Sequence, residues 1–159
     1  MLRAGCAARS GNADVGVGRA ILAGLCASLV GIGLARFAYT ALMPALVGEH
    51  WFVPAQAAYL GAANLAGYLA GALAAPPMSV AAPVAGVLRA MMLLATVSFF
   101  ACAHPLSFSW FFVWRFAAGI SGGALMVLAA LAVLPHVPIS RRGLAAGVTF
   151  TGVGLGIIA

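Results

Sequence analysis

The stretch FSWFFVWRFAAGISGGALMVLAALAVL, residues 108–134, contains one charged side chain, Arg115. A helix needs about 20 apolar residues to cross the hydrocarbon core of a bilayer, and this stretch is longer. The rest of the chain has the same character, since 65% of its 159 residues are hydrophobic and 6% are charged. Soluble domains carry about 25% charged residues and could not bury so much apolar surface. We therefore expect an all-α protein embedded in a lipid bilayer.

Five apolar stretches predict a polytopic membrane helix bundle, with about four complete spans and a truncated fifth. The predicted spans are residues 20–47, 56–75, 84–103, 108–134 and 143–159. After the second span, "PPMSVAAP" is expected to break the helix twice, because proline lacks an amide hydrogen and restricts the residue before it. The last span has no polar flank after it, so we expect an N-terminal piece of a longer protein. Residues 19–159 would then form part of its N-terminal transmembrane half.

Residues 1–18 are polar and small, and they predict a disordered cytoplasmic tail. A signal peptide is the competing interpretation, because arginines precede the first apolar stretch. That stretch is much longer than the apolar core of a signal peptide, so a first membrane helix is favoured.

Six of the eight arginines fit a simple topology, since an even number of spans separates them and all lie on one side. They are Arg3, Arg9, Arg19, Arg89, Arg141 and Arg142. The opposite loops, residues 48–55 and 104–107, carry no arginine, so the positive-inside rule places the N-terminus in the cytoplasm. Trp51, Phe52, Phe108 and Trp110 would then form an outer aromatic belt. The arginine-rich, lysine-free composition is typical of a GC-rich bacterial genome, so we expect the bacterial inner membrane.

Two arginines, Arg36 and Arg115, lie inside predicted spans, at depths of roughly 16 Å and 9 Å from the outer end at 1.5 Å per residue. A charge at mid-bilayer costs at least ~2.5–3.5 kcal/mol and normally faces a bundle interior or a water-filled path. Snorkelling to the interface or a bond to backbone carbonyls is the alternative. No acidic residue lies in any span, so a carbonyl, a water, an acid from a missing segment or an anionic solute must serve as partner. A guanidinium suits a carboxylate or phosphate, and we assign Arg36, Arg115, Tyr39 and Asn64 to a transport path.

Small residues at four-residue spacing predict close helix packing. The glycines assigned to packing or gating are Gly67, Gly71, Gly119, Gly123, Gly147, Gly152 and Gly156. Asn64 is expected to bond to a neighbouring helix. The histidines and cysteines have no spacing typical of a metal site, and no cofactor motif or catalytic set is found. The scattered arginines do not form the basic face that nucleic-acid binding requires.

Several stretches resemble a known transporter family. "WRFAAGISGG", residues 114–123, resembles the Arg-x-x-x-Gly-x-x-x-Gly pattern of helix four in the major facilitator superfamily. "GLARFAYTALMPAL", "AYLGAANLAGYLAGAL" and "VLPHVPISRRGLAAGVTFTGVGLGI" are similar to the YbfB/YjiJ branch of that superfamily.

The resemblance implies a twelve-helix transporter with two six-helix halves that alternate access to a central site. Helices one and four would line the cavity, and Arg115 would match an arginine linked to proton coupling. The loop after the second span departs from the family pattern, because "AAPPMSVAAP" supplies neither its acid nor its basic cluster. We expect a fragment of a proton-coupled secondary transporter of a small, anionic solute, inactive without its C-terminal helices. The alternative is a complete small membrane protein that acts as a homo-oligomer or accessory subunit, and a membrane enzyme is disfavoured for want of a catalytic set.

Overall fold

The computed structural model describes residues 18, 22–104, 106–133 and 142–158, and this part of the chain consists of helices and short turns, with no strand. Residues 22–28 are α-helical and lead through a π-helical segment, Leu29–Ala38, into α1 (Tyr39–Gly48). The other helices are α2 (Pro54–Ala81), α3 (Val84–Ala101), α4 (Phe108–Val133) and α5 (Arg142–Ile158). The predicted all-α bundle is confirmed. The predicted tail, apart from Gly18, lies outside the described residues.

Three helices are long and apolar enough to cross a membrane within the described ranges: Pro54–Ala81, Val84–Ala101 and Phe108–Ala132. The predicted first span is helical from residue 22 to 48, but it is not one regular α-helix. Two apolar helical stretches within it, Leu22–Gly31 and Tyr39–Gly48, are both shorter than a span, and the first of them ends inside the π segment. The π segment joins them, with hydrogen bonds that close one residue later than in an α-helix. Sequence periodicity alone did not predict this change.

The second span is longer than predicted, because α2 continues through Pro76 and Pro77 to Ala81. The expected break at Pro76 and Pro77 is therefore wrong. Both prolines are exposed, so their rings lie away from the packed face of the helix. The hydroxyl of Ser79 donates to the carbonyl of Pro76 at 2.7 Å, which satisfies one backbone acceptor in this turn. The break occurs at Ala82, whose extended backbone is the conformation favoured before a proline.

Helix α4 is the centre of the bundle. It packs most extensively on α2 and also contacts α3 and the π segment, whereas α5 packs on the π segment. In the apolar stretch of α4, 56% of the residues are buried, compared with 17% in α3. Large apolar side chains such as Leu69, Leu73, Leu93 and Phe100 are exposed on the outer surfaces. In a bilayer these surfaces face lipid, so α3 is peripheral and α4 is the internal helix.

The turn after α1 brings two aromatic residues back onto the bundle. The amide of His50 donates to the carbonyl of Val47, and the amide of Trp51 donates to the carbonyl of Leu46 at 3.0 Å. This is the Schellman pattern, in which the residue after the helix is left-handed; here it is His50, with φ 59°. The chain reverses sharply, and Phe52 is buried with Phe111 of α4, their ring centroids 4.8 Å apart.

Candidate functional site

Glycines hold α2 and α4 with their backbones in contact. A Cβ at Gly67 would collide with the carbonyl oxygen of Phe116, and one at Gly71 with that of Ile120. The relation is reciprocal, because a Cβ at Gly119 would collide with the carbonyl of Asn64, and one at Gly123 with that of Tyr68. All four glycines were predicted to pack helices, and the structure places them in one interface. This interface fixes the position of α4, and with it that of Arg115.

A side chain also crosses this interface. Nδ2 of Asn64, which is buried, donates a hydrogen bond to the backbone carbonyl oxygen of Arg115 at 3.0 Å. The predicted bond from Asn64 to a neighbouring helix is confirmed. It is made at the level of the buried arginine, so it ties α2 to the turn of α4 that carries the charge.

Arg115 lies against an aromatic ring of the first span. Its guanidinium carbon lies 3.9 Å from the ring centroid of Tyr39, and both residues are buried, with exposed fractions of 5% and 6%. A cation over an aromatic face is attracted by the negative charge of the π cloud, and the attraction strengthens where water is excluded. Neither acidic residue of the chain, Asp14 or Glu49, lies in a predicted span. The ring of Tyr39 is thus a partner for the cation that the sequence did not predict.

Tyr39 and Arg115 both line a cavity of about 190 Å³ between α1, α3 and α4. Its wall is mostly apolar, because the other side chains are largely aliphatic or aromatic. They include Leu42, Leu46, Ala95, Phe99, Phe111 and Ala118. Ser98 and Cys102 complete the wall on the α3 side. The arrangement is a small apolar chamber with one guanidinium in its described wall.

The two hydroxyls in this wall differ in their hydrogen bonding. The hydroxyl of Ser98 donates to the carbonyl of Leu94 in its own helix at 2.7 Å. The Oη atom of Tyr39 is buried and has no hydrogen-bond partner among the described residues. A buried hydroxyl that lacks a partner costs about 1–3 kcal/mol. This oxygen has almost no accessible surface, so it is enclosed by protein and not open to the cavity.

The remaining predicted site residues are further along the chain. The backbone of Arg36 lies in the π segment, and its side chain is outside the part that the structure describes. A Cβ at Gly152 of α5 would collide with the carbonyl of Leu25, so this glycine lies close against the backbone of the first span. Gly147 has open space around it among the described residues. Gly156 lies in α5, and its surroundings are not described, so the packing roles of Gly147 and Gly156 stay predictions.

Counting helical positions from Tyr39 and Arg115, which were both predicted as site residues, predicts much of the cavity wall. Leu42 and Leu46 follow Tyr39 by three and seven positions, and Phe111 and Ala118 flank Arg115 by four and three. Such positions share one helix face. The contribution of α3 could not be predicted in this way, because α3 contains no predicted site residue from which to count.

A comparison with the models of known protein families finds a match. Residues 28–159 match the model of a protein family described as uncharacterised MFS-type transporter YbfB. The match includes the π segment, all five helices and every residue that forms the cavity. No curated protein and no solved structure matches the chain. Within the described residues, no group of three histidine, cysteine or acidic side chains is placed to hold a metal ion.

Proposed function

Because the chain belongs to the YbfB family of MFS-type transporters, we propose that it forms part of a secondary transporter for a small anionic solute, driven by the proton gradient. The cavity between α1, α3 and α4 belongs to the solute path. The protein acts in the bacterial inner membrane with its N-terminus in the cytoplasm. Helices of a second half complete the site, as expected for twelve-helix members of the superfamily.

One observation supports the proposal that the solute is an anion: the guanidinium of Arg115 is buried in the cavity wall. A desolvated cation in a bilayer is costly, and intramembrane charges usually mark a substrate or ion path. An anion that enters the cavity balances this charge, and the planar guanidinium offers it two parallel hydrogen bonds.

Proton coupling is proposed from the resemblance of "WRFAAGISGG" to the helix-four pattern that is linked to coupling. Arg115, the first residue of the Arg-x-x-x-Gly-x-x-x-Gly pattern, accepts a hydrogen bond from Asn64 at its backbone carbonyl and contacts the ring of Tyr39 with its guanidinium. A cation held in this way responds to the charge of whatever enters the cavity. The proposal therefore assigns the coupling role to Arg115.

Uptake by a longer member of the family tests the proposal. We expect proteoliposomes of that protein to accumulate small radiolabelled anions when the outside is acidic, and a protonophore to abolish the accumulation. Replacing the arginine equivalent to Arg115 with glutamine is expected to lower the initial rate at least tenfold. The present chain, reconstituted alone, is expected to give no uptake above that of empty liposomes.

The matched control is the equivalent of Arg89→Gln, because Arg89 is exposed at the start of α3 and lines no part of the cavity. This variant is expected to transport normally. Unchanged uptake after both Arg36→Ala and Arg115→Ala at the equivalent positions would overturn the proposal.

A further inference from the structure

The cavity between α1, α3 and α4 opens onto the outer surface of the bundle. Leu42 of α1 and Phe99 of α3 line it, and their side chains are 51% and 49% exposed. On the α4 side the lining residues Phe111 and Ala118 are buried. The helices that flank the opening pack mainly on other elements, α1 on the π segment and α2, and α3 on α4. The cavity is therefore open between α1 and α3 and closed at α4.

This opening is continuous with the lipid-facing surface of α3. Leu93 and Phe100, on the same helix as Phe99, are exposed apolar side chains of that surface. In a bilayer, hydrocarbon chains lie against such a surface. The medium in front of the opening is therefore lipid.

We propose that an acyl chain of the surrounding phospholipid enters the cavity through this opening and occupies it while no solute is bound. The inference goes beyond the proposed function, since it concerns a lipid partner of the chain. A solute and an acyl chain cannot share the same volume, so solute entry displaces the acyl chain.

An acyl chain suits this cavity better than water does. A buried water typically makes about three hydrogen bonds to polar groups. The polar groups of this wall have other contacts, because the hydroxyl of Ser98 donates to the carbonyl of Leu94 and the guanidinium of Arg115 lies on the ring of Tyr39. The hydroxyl of Tyr39 is enclosed by protein. A void would forfeit van der Waals contacts along the apolar wall, so a flexible apolar chain is the favoured occupant.

The volume and shape of the cavity fit one acyl chain. The cavity measures about 190 Å³, and an apolar protein cavity of about 150 Å³ binds benzene, so there is room for a segment of one chain. The lining residues of α3 and the turn after it extend from Ala95 to Ala103. This distance is two helical turns, or roughly 12 Å at 1.5 Å per residue. A space that is long for its volume suits a linear chain better than a compact ring.

The cavity lies near one end of the bundle, so it selects one leaflet. Leu46 and Ala103 line its outer part, each within two residues of a helix end, Gly48 or Ala101, whereas Ala95 lines its deeper part. A phospholipid headgroup stays at the interface, so the acyl chain enters from the leaflet at this end of the bundle. Its terminal methyl group then lies towards Ala95. In the proposed orientation this is the outer leaflet.

Photocrosslinking of the purified 159-residue chain tests the proposal. The chain is reconstituted in phosphatidylcholine vesicles that contain a trace of phosphatidylcholine with a diazirine on one acyl chain, and adducts are located by peptide mass spectrometry. Leu93, which is 66% exposed, is expected to be labelled as part of the lipid-facing surface. Ser98 and Ala118, which are buried in the cavity wall, are expected to be labelled as well.

The position of the diazirine reports the depth of the acyl chain. A diazirine near the terminal methyl group is expected to label Ala95 and Ala118, and one near the headgroup Leu46 and Ala103. This comparison uses the unchanged protein, so it does not depend on whether a variant folds.

Variants test the opening and the interior separately. Leu42→Trp narrows the opening without changing a buried residue, and Ala95→Leu reduces the volume inside. Each is expected to lower the ratio of Ala118 adducts to Leu93 adducts at least fivefold. The matched controls are Leu69→Trp and Ala90→Leu, which change exposed residues that do not line the cavity and are expected to leave the ratio unchanged.

Absence of adducts at Ser98 and Ala118, with Leu93 labelled, would overturn the proposal, because water, another helix or a second copy of the chain would then fill or cover the cavity. A reversed order of depth, or an unchanged ratio in both folded cavity variants, would also overturn it. The proposed function is tested by uptake through the longer family member, so either inference can fail while the other stands.

Discussion

Tyr39 shows how an aromatic ring stabilises a cation in a span that has no carboxylate. A cation–π contact contributes about 0.5–1 kcal/mol at exposed sites and about 2 kcal/mol or more when desolvated. The Arg115–Tyr39 pair is in the second situation, because both residues are buried. The ring attracts the guanidinium without neutralising its charge.

The ring and the hydroxyl of Tyr39 are expected to affect stability in different ways. Tyr39→Ala removes a buried aromatic side chain and the cation–π contact, and is expected to cost about 3–5 kcal/mol. Tyr39→Phe removes an oxygen that has no partner among the described residues, and stability is expected to stay the same or to rise slightly. Thermal unfolding of the purified chain in micelles measures both changes.

Tyr59 provides the control for this comparison. Its side chain is 65% exposed on α2, so Tyr59→Phe and Tyr59→Ala are expected to change the unfolding temperature little. A loss of stability in Tyr39→Phe as large as that in Tyr39→Ala would contradict the prediction, since it would mean that the hydroxyl has a stabilising partner.

The sequence predicted polar candidates in the spans but not all of the contacts between them. Arg115, Tyr39 and Asn64 were selected because polar residues in a membrane span are costly, and the structure brings all three together. The contact between ring and guanidinium was not predicted. This contact joins residues on α1 and α4, and it depends on how far each helix is rotated about its own axis. That rotation is set by packing between helices, which cannot be predicted from a single sequence.

The contact between α2 and α4 is a contact between backbones. Burial of apolar surface contributes little to the association of membrane helices, because lipid is as apolar as the helix surface. Close approach is favoured instead by van der Waals contact, which glycine allows. The four reciprocal contacts of Gly67, Gly71, Gly119 and Gly123 extend along the interface and make the two helices one unit.

Gly67→Ala is expected to destabilise the protein strongly, because the new Cβ would collide with the carbonyl oxygen of Phe116, which cannot move without its helix. Overpacking typically costs about 1–3 kcal/mol, and a clash with backbone falls at the upper end. Gly61→Ala is the matched control on the same helix, since a Cβ at Gly61 meets nothing within 4 Å. Denaturation in micelles compares the two, and equal stability of the variants would contradict the interface.

Helix α2 and the π segment each differ from the sequence prediction, and the reason is local in both cases. Prolines at positions 76 and 77 were expected to end α2, yet membrane helices tolerate proline when the freed carbonyls find donors. The π segment could not be predicted, because apolar residues surround Arg36 on every side and no periodicity distinguishes one turn type from another. The limits of α3 and α4 were predicted closely, since proline and polar residues flank both.

At the scale of the molecule, the proposed orientation predicts which loops meet which side of the membrane. His104, exposed between α3 and α4, is expected outside, and Gly86, exposed near the start of α3, inside. In a background with Cys6, Cys26 and Cys102 replaced by alanine, a membrane-impermeant maleimide is expected to label His104→Cys on intact cells. Gly86→Cys is expected to be labelled only after lysis.

The cysteine-free background, which is expected to give no signal, controls for labelling elsewhere in the chain. The reverse pattern, with Gly86→Cys labelled on intact cells and His104→Cys protected, would mean that the arginine distribution does not set the orientation.

The π segment rotates the part of the first span before it relative to the part after it, about the helix axis. An α-helix turns by about 100° per residue, so one additional residue in a turn shifts everything before it by about that angle relative to everything after it. Downstream of the shift, Tyr39 points at the cavity; upstream, the backbone of Leu25 meets Gly152 of α5. The contact of the first span with α5 and its contact with Arg115 therefore lie on opposite sides of the π segment, so a change in the number of residues per turn there would rotate one contact relative to the other.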